Sequence, residues 1–250
     1  MQRKKVFAAN WKMHKNPTQA AHFVRDFLAI LPHLAGKEIV LCPPAICIPA
    51  TVAAAKGTSV HVGGQNLHWE KAGAFTGEIS AAMLVAAGCT HVIIGHSERR
   101  QYFAETDATV NKKLIAALAA GLAPIVCVGE LLAEREAGDT DDILRRQCSE
   151  ACREIAVESA AKLTIAYEPC WAIGTGKTAT PQMAAEAHAT IRAEAASIFG
   201  KPFAKALRIL YGGSVRPDNS ESLMAEAEID GALVGGASLE AESFAAIVNS

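Results

Sequence analysis

Short apolar runs, rich in β-branched residues, alternate along this chain with longer alanine-rich segments of helical spacing. The runs are Val6–Ala9, Ile39–Cys42, Val60–Val62, His91–Gly95, Pro124–Val128, Leu163–Tyr167, Arg208–Tyr211 and Ala232–Val234. Helical patterns fall at Ala20–Leu31, Ala45–Ala55, Val110–Ala120, Ile143–Ile155, Met183–Phe199 and Ser243–Val248. Pro17 and Pro181 sit near helix starts, where a missing N–H costs little, and Gly57, Gly88 and Gly121 follow helical segments as C-cap glycines do. Apolar strands alternating with helices require a parallel sheet covered on both faces. About eight such units in 250 residues suit a closed (β/α)8 barrel better than an open sheet of about six strands. No Pro/Gly/Ser-rich linker interrupts the series, so residues 1–250 read as one catalytic domain.

Composition narrows the function classes. The chain carries 24 Lys and Arg against 26 Asp and Glu, without the clustered basic residues that mark a nucleic-acid footprint. After the basic start Met1-Gln-Arg-Lys-Lys, the apolar run Val6–Ala9 is too short for a secretory core of about 7–15 residues or a membrane helix of about 20. We therefore expect a cytoplasmic protein with no membrane association. Seven cysteines, at 42, 47, 89, 127, 148, 152 and 170, include no Cys-x-x-Cys pair. Cys148 and Cys152 share a helix face without further ligand types nearby. Buried, reduced thiols are the expected state, and no metal site is expected.

In a barrel, residues just after the strands converge on one face. After the first strand come Asn10, Trp11 and Lys12; after the fourth, His96, Ser97 and Glu98; after the sixth, Glu168. The last two strands end in Gly212-Gly213-Ser214 and Gly235-Gly236. Either glycine pair alone reads as a tight turn. Together, at adjacent strand ends, they read as a phosphate cradle, because glycine lets backbone N–H groups approach an anion and a following helix adds its positive end. Lys12 then counters the phosphate and a developing oxyanion. Glu168 closes an apolar strand, where a carboxylate is costly unless it is paired or functional. With His96 at the same mouth, it offers the base and the hydrogen-bond donor needed to take a proton from beside a carbonyl. The other seven histidines read as surface or packing residues.

Two motif matches fail. Gly176-Lys-Thr resembles the end of a phosphate-binding P-loop, but that motif needs glycine where Trp171 stands. Gly174-Thr-Gly-Lys-Thr-Ala fits a dinucleotide fingerprint but does not open a helix directly after its strand. What remains is a lid between a Pro-Cys-Trp anchor and a Lys-Thr-Ala anchor.

The stretches Ala9-Asn-Trp-Lys-Met, Gln65-Asn, Gly73-Ala-Phe-Thr-Gly-Glu, Ile94-Gly-His-Ser-Glu-Arg-Arg, Ala166-Tyr-Glu-Pro-Cys-Trp-Ala-Ile-Gly-Thr-Gly-Lys and Tyr211-Gly-Gly-Ser-Val resemble the triose-phosphate isomerase family in order and spacing over essentially the whole chain. The resemblance implies interconversion of dihydroxyacetone phosphate and D-glyceraldehyde 3-phosphate through an enediol(ate), as a step of glycolysis and gluconeogenesis. It implies Glu168 as the base and His96 as a neutral electrophile at a helix N-terminus, a pairing for which this family is itself the reference case. Asn10 and Lys12 complete the electrophilic site, with Glu98 in support. Gly174, Ser214, Gly235 and Gly236 hold the phosphate, Pro169–Thr178 forms the lid, and no cofactor is needed. The chain departs from the family's usual aliphatic hinge residue at Cys170. The segment Gln65 to Glu78 is long for a strand-to-helix connection and carries Leu67, Trp69, Ala72, Ala74 and Phe75. Insertion into another surface and folding back on its own barrel are both open to it. The resemblance favours the first, with Thr76 reaching a partner's Asn10 and Lys12 in a homodimer. Rival readings are a Schiff-base aldolase with Lys12 as nucleophile and a non-catalytic sugar-phosphate binding protein.

Overall fold

Each strand pairs in parallel with its neighbours in chain order, and the first pairs with the last, which closes the sheet. The computed structural model describes residues 3–31, 36–172 and 178–250. Among these, the strands are β1 Lys5–Asn10, β2 Lys37–Cys42, β3 Val60–Gly64, β4 His91–Ile94, β5 Ala123–Val128, β6 Thr164–Tyr167, β7 Arg208–Tyr211 and β8 Gly231–Val234. Registers such as Ala8↔Val40 and Phe7↔Ala232 join β1 to β2 and to β8.

The period of two sorts the strand side chains into two cores. Val6, Ala8, Val40, Cys42, Ile93, Ile125, Cys127, Ala166, Leu210 and Leu233 form one buried cluster, which fills the barrel. Their alternates, among them Phe7, Ile39, Leu41, Ile94, Val126 and Tyr167, join the larger cluster with the helices. Both faces are buried, which is why the strands read as continuous apolar runs.

The helices of the outer layer are α1 Pro17–Ile30, α2 Ile48–Ala55, α3 Ala81–Ala86, α4 Ser97–Tyr102, α5 Asp107–Ala119, α6 Leu132–Ala137, α7 Thr140–Ala151, α8 Pro181–Phe199, α9 Lys201–Ala206, α10 Ser220–Met224 and α11 Ala241–Val248. The helical patterns locate the long helices but misplace their starts. Asn16 caps α1, Thr106 caps α5 and Thr180 caps α8, each accepting a backbone N–H of the first turn. The fourth strand stops at Ile94 rather than Gly95, whose φ of +74° turns the chain into α4. All seven cysteines are free, six of them buried and Cys170 half-buried. Among the described residues no helix is long and apolar enough to cross a membrane.

The long loop after β3 corrects one expectation. Leu67 does not project: it is fully buried in the chain's own core. Trp69 is half-buried, stacked on His68 and covered by the Lys112 ammonium. The stretch from Glu70 to Glu78 is exposed.

Candidate active site

At the end of β1 the chain makes a tight turn. Asn10, nearly buried, accepts the Lys12 backbone N–H on Oδ1 at 3.1 Å. Lys12 takes φ of +51°, a conformation costing about 1–3 kcal/mol that the surroundings must hold. Residues before and beyond it in the chain do so. Trp11 is fully buried edge-on against Phe23, and Gln65 Nε2 donates to the Lys12 and Cys42 carbonyls, both at 2.9 Å. The Lys12 side chain then runs past Gly235, where a Cβ would stand 3.4 Å from its Cε. Its ammonium ends 2.6 Å from Glu98 Oε1.

Gly95 ends the next turn of the mouth, and its N–H donates to the buried Glu105 at 3.0 Å. His96 caps α4: its Nδ1 accepts the Glu98 N–H at 3.2 Å. An Nδ1 that accepts carries no proton, so the proton of the neutral ring sits on Nε2. That nitrogen lies 3.0 Å from Oε1 of Glu168. The second Glu168 oxygen accepts the Ser97 N–H at 2.8 Å. Glu168 itself is held by its backbone, which donates to Val128 O at 2.7 Å.

Burial drives the Glu168 pKa up, but His96, by charge and hydrogen bond, and the Ser97 N–H pull it down further, and the net direction is down. For His96, burial drives the pKa down, and the Glu168 carboxylate outweighs it, so the net direction is up. A helix start alone, with its positive end, would lower it. The cause of the rise is a contact between two distant strand ends, which spacing along the chain does not reveal.

The glycine pairs differ in their reasons. A Cβ on Gly212 would press on the Glu168 side chain, and one on Gly213 would overlap the Tyr211 hydroxyl. These two glycines make room for neighbours. Gly236 faces open space and Gly235 only the Lys12 stem, which leaves their backbone approachable. The helix expected directly after each pair is absent at β7, where α10 starts at Ser220; after β8 a short 3₁₀ turn, Gly236–Ser238, takes its place. Ser214, Gly235 and Gly236 share one cavity with Asn10, Lys12, His96, Glu98 and Glu168. Gly174 lies outside the described residues, as do residues 173 to 177 of the expected lid Pro169–Thr178. In the expected first anchor of that lid, Trp171 donates from Nε1 to the buried Glu130 at 2.8 Å.

Three groups at this mouth were not legible in the sequence. The Ser97 N–H is a backbone group and carries no residue signature. Arg216 reaches the cradle from beyond the glycine turn, with Nη1 3.5 Å from Ser214 Oγ. Gln147 lines the cavity from a helix, not from a strand end.

A buried carboxylate touching an imidazole, beside an ammonium and an open glycine turn, sets this barrel among the isomerases that move a proton next to a carbonyl on a phosphorylated substrate. A family model described as "Triosephosphate isomerase" matches residues 5–250. Proteins named triosephosphate isomerase are similar over nearly full length: that of Solibacter usitatus is 56% identical over 247 residues, 99% of each chain. That of Moorella thermoacetica is 56% identical over 250 residues, 99% of this chain and 98% of the other, and that of Caldanaerobacter subterraneus 52% over 247, 99% of each. The chain belongs to the triosephosphate isomerase family, and it is an isomerase.

Proposed function

We propose that this chain interconverts dihydroxyacetone phosphate and D-glyceraldehyde 3-phosphate with the groups just described, acting as one catalytic domain. Glu168 takes a proton from C1 of the ketose and returns it to C2. His96 Nε2–H and the Lys12 ammonium stabilise the charge that develops on oxygen in the enediol(ate) between these steps. Asn10 fixes the Lys12 turn, Glu98 orients the ammonium and the imidazole, and Gly174, Ser214, Gly235 and Gly236 hold the phosphate. The substrate's own carbonyl takes up the electron pair, so the steps call for no metal or organic cofactor.

The observation that carries this reading is the 3.0 Å contact between His96 Nε2 and Glu168 Oε1, since a base and an electrophile that touch each other can both reach one small substrate. The aldolase reading is disfavoured because Lys12 Nζ is engaged by Glu98 at 2.6 Å, whereas a Schiff base starts from a free amine. A coupled assay with both triose phosphates tests the activity, and Glu168→Gln tests the base. The variant keeps size and polarity but cannot accept the proton, so kcat falls by at least about 10²–10⁴-fold. A folded variant with near-parent kcat places the base elsewhere.

Two further readings belong to the proposal. Seven free thiols favour the reducing cytoplasm. A homodimer through Gln65 to Glu78 is supported by the apolar side chains left exposed after four adjacent strands: Met13 at 94%, Ile46 at 71%, Phe75 at 43% and Phe103 at 65%.

A further inference from the structure

We propose that Gln147 is a positioning residue for Glu168, acting through the backbone of Gly129; this rests on the reading of Glu168 as the base. Gln147 sits on the inner face of α7 with Leu144, Cys148 and Ala151, all buried. A primary amide in such an apolar row is costly unless both its ends are paired. Both are, and to a single residue. The Gly129 N–H donates to Gln147 Oε1 at 2.7 Å, and Gln147 Nε2 donates back to Gly129 O at 3.1 Å.

Gly129 stands one residue past the end of β5, where its backbone has left the strand ladder. The residues on either side of it carry the base and the start of the lid. Val128 O accepts the Glu168 N–H at 2.7 Å, and Glu130 O accepts the Cys170 N–H at 3.1 Å. Between them Gly129 lies directly against Glu168: a Cβ on Gly129 would overlap the Glu168 carbonyl oxygen. The two backbones therefore touch, and a shift of Gly129 is a shift of Glu168. Gln147 clamps Gly129 from the helix layer and so fixes where the carboxylate starts its reach. Misplacing a reacting group by about 1 Å costs on the order of 10²-fold in rate even when the altered residue is remote from the chemistry.

The test is a set of variants measured for kcat, KM and Tm. Gln147→Met keeps length and volume and removes both hydrogen bonds. Its kcat is expected to fall about 10–100-fold, with KM near the parent value because the phosphate is held elsewhere. Gln147→Glu keeps the acceptor for the Gly129 N–H and loses the donor to Gly129 O; its kcat falls between the two, and it carries the test if Gln147→Met fails to fold. Leu144→Ala, on the same buried face, is expected to lower Tm without a matching fall in kcat. If Gln147 works through the base, adding Gln147→Met to Glu168→Gln lowers kcat far less than it does alone. Parent-like kcat in both Gln147 variants overturns the proposal, as does a fall in kcat that merely follows Tm as in Leu144→Ala. A parent-like kcat in Glu168→Gln alone would remove the base, a failure distinct from either of these.

Discussion

Glu168 and His96 set each other's charge in the resting site. The carboxylate raises an imidazole pKa that burial alone would lower, and the imidazole and the Ser97 N–H lower a carboxyl pKa that burial alone would raise. The direction of the His96 shift therefore depends on the Glu168 carboxylate. Removing that negative charge leaves burial and the Lys12 ammonium, which act downward, against only the weaker upward pull of the Glu98 carboxylate. Glu168→Gln is expected to move the His96 pKa from above to below its ordinary value of 6.5, as read by ring-nitrogen NMR titration. An unmoved titration would show that the carboxylate does not govern the ring. Such reciprocal effects explain what was legible at this scale. Of the proposed functional side chains, Asn10 ends its strand and Lys12, His96, Glu98 and Glu168 follow within four residues of a strand end, so finding the strands finds them. The Ser97 N–H, Gln65 and Gln147 act through backbone groups or from other elements, and nothing in their local spacing marks them.

At the scale of elements, three polar side chains meet at the N-terminal end of the barrel. Glu38 on β2, His91 on β4 and Arg208 on β7 share the inward parity of Val40, Ile93 and Leu210. Glu38 joins the other two, with Oε1 3.0 Å from His91 Nε2 and Oε2 2.6 Å from Arg208 Nη1. The His91 hydrogen bond and the Arg208 charge outweigh burial and hold the Glu38 pKa at about 2, down from 4.5. A depressed carboxyl pKa contributes stability that is complete above the unfolded value and is lost as pH falls toward the folded one. Glu38 is thus expected to contribute about 2–3 kcal/mol above pH 5, declining between about pH 5 and 2. In urea unfolding, the stability gap between the parent and Glu38→Gln should be widest near neutral pH and narrow steadily below about pH 5. A gap independent of pH would mean the surroundings of Glu38 do not differ between the folded and unfolded chain. His91 was read from the sequence as a packing or surface residue, and its hydrogen bond to Glu38 emerges only when the strands close on one another. The short helices α6, α9 and α10, of five or six residues, escaped detection for a related reason: fewer than two turns establish no period. The long helices and all eight strands were legible because burial on both faces of the sheet writes itself into the composition of each segment.

At the scale of the whole molecule, the loop after β3 joins the core of its own barrel to an exposed tip. Its base is fixed: Leu67 is buried, Gln65 holds the Lys12 carbonyl, and the His68 N–H donates to Ile79 O at 2.8 Å. Its tip is shaped, with the Phe75 ring 4.3 Å from that of His68 and the Glu78 N–H donating to Phe75 O at 3.0 Å. A tip ordered in advance loses little conformational entropy on docking. Around it, Met13, Ile46 and Phe103 follow neighbouring strands with their side chains largely exposed. Two copies facing each other across a two-fold axis would bury each other's tips, and a stable interface of this kind exceeds roughly 2,000 Å². Lys12 is the residue with most to gain, because its strained turn is braced within the chain by Asn10 and Gln65 and the partner's tip would close the remaining side. Thr76 is exposed at the tip, and a close-packed interface there would leave no room for a long charged side chain. Thr76→Arg is therefore expected to separate the subunits and to lower kcat, since Lys12 would lose its outer brace while the barrel stays folded. Sedimentation equilibrium on parent and variant, with activity measured on the same samples, reads both effects. A fully active monomer in either sample would sever the link between assembly and the Lys12 turn.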